Sequence, residues 1–169
     1  MNKTGALDTM VKQEIIDVFE VVKEVVRIRE GRSRAGLMLG LQELGASLDG
    51  FVGAYYPVAS NIIVMNKTVL RRIKETNPKL LKPYTFHILL HEYIHSLGYL
   101  DEQTTRQKTY EISKAVFGEK HVVTKLSTDM KRFFPSLVYP FYGWVPTKEM
   151  PVIELVQGFD SSSTNPYIT

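Results

Sequence analysis

The chain has 169 residues, of which 44% are hydrophobic, 11% aromatic and 23% charged; this composition is globular and gives room for one core rather than two. It contains no cysteine, which excludes a disulfide scaffold, a thiolate zinc centre, an iron–sulfur cluster and a cysteine nucleophile together, so any metal must sit on His, Asp or Glu. A net charge of +3 permits contact with nucleic acid or an anionic surface without indicating it, and no stretch approaches the ~20 apolar residues of a membrane span. The first ten residues lack the apolar core of a signal peptide, so the expected location is the cytoplasm.

Residues 8–30 predict a long amphipathic helix. Val11, Ile15, Val18, Phe19, Val22, Val25 and Val26 recur at spacings of three and four, with Asp8 as N-cap and Gly31 as stop. Its many β-branched residues make it dependent on tertiary packing, expected against a sheet. Three strand-like runs follow, over 35–44, 51–56 and 61–65, ended by Gly45, Pro57 and Asn66; the expected sheet is small and mixed, mainly antiparallel. Helices are predicted over 67–76, 84–97 and 102–117, the last two closed by Gly98 and Gly118. Beyond Pro135 the texture changes to prolines interleaved with Tyr139, Phe141, Tyr142 and Trp144. Residues 135–169 therefore read as an extended segment wrapped over a single 1–169 domain of α+β class.

The chemistry is concentrated in His91-Glu92-Tyr93-Ile94-His95 and the following Ser96-Leu97-Gly98-Tyr99-Leu100-Asp101-Glu102. On a helix, His91 and His95 lie one turn apart on one face and can share a metal ion, with Glu92 beside its open position as general base. Gly98 can take a left-handed conformation that turns the chain back, so that Asp101 offers a third ligand. Asp101 is equally a candidate N-cap for the next helix, which leaves His121, Glu111 and Glu102 as competing third ligands. His87, one turn before His91, reads as a structural or supporting residue, since a fourth protein ligand would close the site.

The string H-E-Y-I-H-S-L-G-Y-L-D resembles the extended motif of the metzincin-type zincin metallopeptidases, in the version ending in Asp seen in snapalysin and in small prokaryotic minimal zincins. The close resemblance covers about twelve residues. It implies a zincin-like fold, Zn²⁺ on His91, His95 and Asp101, and Glu92 as general base. It also implies that an edge strand made of Asn61, Ile62, Ile63, Val64 and Met65 binds substrate backbone by strand addition. Met130 is the candidate for the methionine turn of that family.

The expected activity is zinc-dependent hydrolysis of peptide bonds, with a peptide or protein as substrate. Two other classes stand beside it. One is a zinc-dependent nucleic-acid hydrolase, since HxxxHxxGY is similar to bacterial ribosomal-RNA-processing metalloproteins, although Glu92, Leu100 and Asp101 depart from their pattern. The other is a catalytically inactive zincin-fold binding protein. Lys67, Arg71, Arg72, Lys74, Lys79 and Lys82 form a basic run that reads either as a solvated face or as a surface for acidic partners. Finally, the tail after Pro151 is long enough to lie in a cleft and bring Asp160 to the metal as an inhibitor.

Overall fold

The computed structural model describes residues 7–140 and 152–161. Phe141, Tyr142, Trp144 and the stretch 162–169 lie outside the described residues, so the expectations placed on them are not addressed. Helix α1 (Thr9–Glu30) starts at Asp8, whose side chain accepts from the Met10 amide, and ends at Gly31 in a left-handed conformation. Its buried stripe of Val11, Ile15, Val18, Phe19, Val22 and Val26 is the one its spacing predicts, except that Val25 is only partly buried at its edge. That stripe does not pack on a sheet, as its β-branched content suggests, but chiefly on helix α3 (Leu81–Ser96). Phe19 meets Tyr93 edge-on, with ring centroids 5.5 Å apart.

Strands β1 (Met38–Gln42), β2 (Phe51–Val52), β3 (Ala54–Tyr55) and β4 (Ile62–Asn66) come next. The single run 51–56 is split at Gly53, and there the Tyr84 hydroxyl sits 2.5 Å from where a Cβ would stand, so only glycine lets the chain pass that closely to α3. The sheet order is β3-β4-β1-β6, with β6 (Glu154–Val156) from the C-terminal segment. Its longest pairing, β1 with β4, is parallel over five residues; β3–β4 and β1–β6 are antiparallel.

The sheet is therefore mixed, as expected, with two of its three pairings antiparallel, and β4 is not an edge strand. It lies between β1 and β3, with Ile63, Val64 and Met65 fully buried, so the predicted substrate-binding edge at 61–65 is corrected to an interior strand. The all-apolar sequence Ile-Ile-Val-Met is what a strand covered on both faces requires.

Helix α2 (Lys67–Thr76) is capped by Asn66, and α3 begins one turn earlier than Tyr84. Pro83 is tolerated there because amides in a first turn have no helical partner. Helix α4 (Glu102–Phe117) has its predicted limits, followed by two short helices that the sequence reading passes over, α5 (Val122–Thr128) and α6 (Met130–Phe133).

The C-terminal segment is more than a wrapping. Strand β5 (Leu137–Val138) pairs in parallel with β2, and β6 extends the main sheet. Phe159 stacks on Phe19 at 4.1 Å, and Asp160, almost wholly buried, ion-pairs with Lys23 and accepts from the Leu37 amide. Asp160 is thus committed to α1 and β1, which corrects its expected approach to the histidines. Among the described residues no helix is long and apolar enough to cross a membrane.

Candidate metal centre

Helix α3 is buried on nearly every side, as its apolar sequence dictates, and this makes its polar residues conspicuous. His87, His91 and Glu92 are each 3% exposed or less. After Ser96 the chain turns at Gly98 (φ +107°), a conformation that side-chain-bearing residues rarely adopt, and α4 starts four residues later. This turn brings the start of α4 back against the end of α3.

The first residue of α4, Glu102, faces both histidines. Its Oε1 lies 2.7 Å from His95 Nε2 and 3.3 Å from His91 Nε2. These three ligand atoms lie within 4.8 Å of one another, and His91, His95 and Glu102 are the group among the described residues able to hold a metal ion. Asp101 does something else: its carboxylate accepts from the Thr104 amide at 2.8 Å and from the Thr104 hydroxyl at 2.7 Å, capping α4 while exposed to solvent. The remaining candidates lie elsewhere. Glu111 is exposed and accepts from Gln107, and His121 caps α5 and stacks on Phe117. Met130 is buried and lines a cavity of about 560 Å³ together with Arg106 and Tyr139.

The hydrogen bonds around His95 set its tautomer. Its Nδ1 is 2.7 Å from the Tyr99 carbonyl, which can only accept, so Nδ1 carries the hydrogen. Nε2 then directs a lone pair at a carboxylate oxygen 2.7 Å away. That contact is favourable with a proton between the two atoms, which the low pKa of Glu102 places on the imidazole, or with a cation between them. Thr105 holds the turn in place by donating to the Tyr99 or Asp101 carbonyl. A carbonyl on the far ring nitrogen of a ligating histidine is the usual way such a ring is oriented.

Electrostatics follow from burial and these contacts. Burial opposes charge on Glu102, but the two imidazoles outweigh it and hold the carboxyl down at about 2. Burial pulls His91 below its ordinary value. It pulls His95 the same way, yet the bond to Glu102, the charge of Glu92 and the Tyr99 carbonyl together leave His95 raised. Glu92 is pushed up to about 8, mainly by burial, and its Oε2 has no hydrogen-bond partner. Burial likewise drives His87 down to about 3; its Nε2 is 3.0 Å from the Tyr139 hydroxyl, while its Nδ1 has no partner.

The sequence marks Tyr139 as one of the aromatics interleaved with the late prolines and does not single it out. Its ring stacks on the His91 imidazole with centroids 4.7 Å apart, and the Arg106 guanidinium carbon lies 4.5 Å from the Tyr139 centroid. Arg106 Nε is in turn 3.5 Å from Glu102 Oε2. No local pattern links residues 91, 106 and 139; only the fold joins them.

The basic run before α3 is partly neutralised, with Lys67 paired to Glu154, Arg71 to Glu43 and Lys74 to Asp8. Compared with known proteins, the chain matches no family model, no curated protein and no solved structure. The resemblance to zincins therefore rests on the motif residues alone.

Proposed function

We propose that the chain is a zinc-dependent peptidase of zincin-like architecture whose metal is held by His91, His95 and Glu102. The observation that carries this reading is the convergence of His95 Nε2 and His91 Nε2 on one oxygen, Glu102 Oε1, at 2.7 and 3.3 Å. Two imidazoles and one carboxylate from three side chains are the donor set of a catalytic zinc site, which keeps a position for water or substrate. A zinc ion there would supply Lewis-acid polarisation of a carbonyl and a more acidic water.

The protein's own groups would do the rest. Glu92 follows the first ligand in sequence and has an unpaired, buried carboxyl oxygen, so it is the group to take a proton from the attacking water and return it to the leaving amine. The Tyr99 carbonyl and Thr105 fix the ring of His95. Burial of His91 and Glu92 keeps bulk water from competing at that position. Peptides are favoured over nucleic acids as substrates because acids within the fold already pair three residues of the basic run.

The test is cleavage of a mixed peptide library by zinc-loaded protein, with Glu92→Gln as the control. Glu92→Gln should lower the rate by about 10²–10⁴-fold while still binding zinc. Cleavage by that variant at the wild-type rate would sink the mechanism.

A further inference from the structure

A ligating imidazole must be held so that one nitrogen faces the metal, and a hydrogen bond at the other nitrogen is the usual means. His95 has that bond, from Nδ1 to the Tyr99 carbonyl. His91 lacks it: its Nδ1 is buried and makes no hydrogen bond among the described residues. What meets the His91 ring instead is Tyr139, stacked on it with centroids 4.7 Å apart and planes 29° from parallel.

Tyr139 is itself firmly held. It follows β5, whose backbone pairs with β2 and whose Leu137 is buried in the core. Two glycines make room for this close approach. A Cβ on Gly50 would lie 2.8 Å from Val138 Cγ2, and one on Gly53 would lie 3.2 Å from Leu137 Cδ1. The Tyr139 hydroxyl is 3.0 Å from His87 Nε2, a hydrogen bond between two groups that burial keeps uncharged. Arg106 lies over the same ring and brings its Nε to 3.5 Å from Glu102 Oε2. One side chain thus touches His91 directly and Glu102 through Arg106.

We propose that Tyr139 is the positioning residue of His91, its ring standing in for the missing hydrogen bond, and that His87 anchors its hydroxyl. This deepens the peptidase reading and rests on it for the metal alone. It also gives a role to His87, a buried polar residue that the hydrolytic mechanism leaves unused.

The test is the zinc affinity of the full-length protein, by competition with a chromophoric chelator. Tyr139→Leu, which keeps bulk without a flat ring, should weaken zinc binding by about 10–100-fold. Tyr139→Phe keeps the ring and loses the anchor, so it should recover most of that loss. His87→Leu removes the anchor from the other side and should match Tyr139→Phe. Wild-type affinity in Tyr139→Leu, or equal losses in Tyr139→Leu and Tyr139→Phe, would overturn the proposal; wild-type affinity in His87→Leu would overturn the role given to His87.

If the leucine variants do not fold, proton NMR of metal-free wild type decides. The Tyr139 ring current should move the His91 ring protons upfield of their positions in unfolded protein, and unmoved signals would overturn the proposal. Shifted signals in a protein that never binds zinc would sink the peptidase reading and leave the ring contact standing. Zinc binding with unmoved signals would do the reverse.

Discussion

At the scale of single residues, the chemistry turns on one position. Asp101 and Glu102 are adjacent acids, and the turn at Gly98 can offer only one of them to the histidines. Asp101 is spent on the Thr104 amide, where a short side chain reaches best, and the longer Glu102 reaches back across the turn. Replacing Asp101 by Ala should therefore lower stability modestly in denaturant unfolding, through the lost N-cap, and leave metal binding intact. Loss of the metal along with the cap would show that Asp101 does more than cap.

His87 makes a separate prediction for metal-free protein. Its folded pKa, about 3, is below its ordinary 6.5, so the stability it contributes is complete above pH 6.5 and is lost as pH falls toward 3. Its share of the loss at pH 5 is about 2 kcal/mol. His87→Gln should accordingly lose about that much less between pH 7 and pH 5 than wild type. Identical pH profiles would mean that His87 is not buried in its neutral form.

At the scale of elements, β6 and the turn after it show how the C-terminal segment belongs to the core. Phe159 stacks on Phe19, and Asp160 links Lys23 of α1 to the Leu37 amide just before β1. Removing one member of a buried pair leaves the other without full compensation, so Asp160→Ala should cost about 3 kcal/mol. Thermal and denaturant melts would measure it, and a loss under 1 kcal/mol would contradict the assigned role.

The helices were legible because each carries its own signals: Asp8 and Gly31 bound α1, and Gly98 and Gly118 close α3 and α4. The strands were legible as short apolar runs, but their order was not. Nothing local in 61–65 distinguishes an edge strand from one flanked by β1 and β3, since strand partners are chosen by contacts distant in sequence. For the same reason Tyr139 could not be placed on His91 from the chain, whereas Glu92 and the histidines could, being tied by helical spacing. Glu102 was visible only as one acid among several. Choosing it required knowing where the turn ends and which side chain the helix takes as its cap.

At the scale of the whole molecule, the candidate centre joins α3 to α4, and the stacked Tyr139 ties both to the end of β5. A ligand that binds only the folded chain stabilises all of it together. Zinc at a hundred times its dissociation constant should add about 2.7 kcal/mol to the unfolding free energy and raise the melting temperature. Glu102→Ala should abolish most of that rise; an equal rise in both proteins would place the metal elsewhere.

The most direct test of the central claim is the metal content of chelator-free protein, by elemental analysis, for wild type, Glu102→Ala and Asp101→Ala. The account predicts about one zinc per chain in wild type and in Asp101→Ala, and a tenfold or greater loss of affinity in Glu102→Ala. No metal in wild type after incubation with zinc at neutral pH, or metal lost with Asp101 and kept without Glu102, would contradict it.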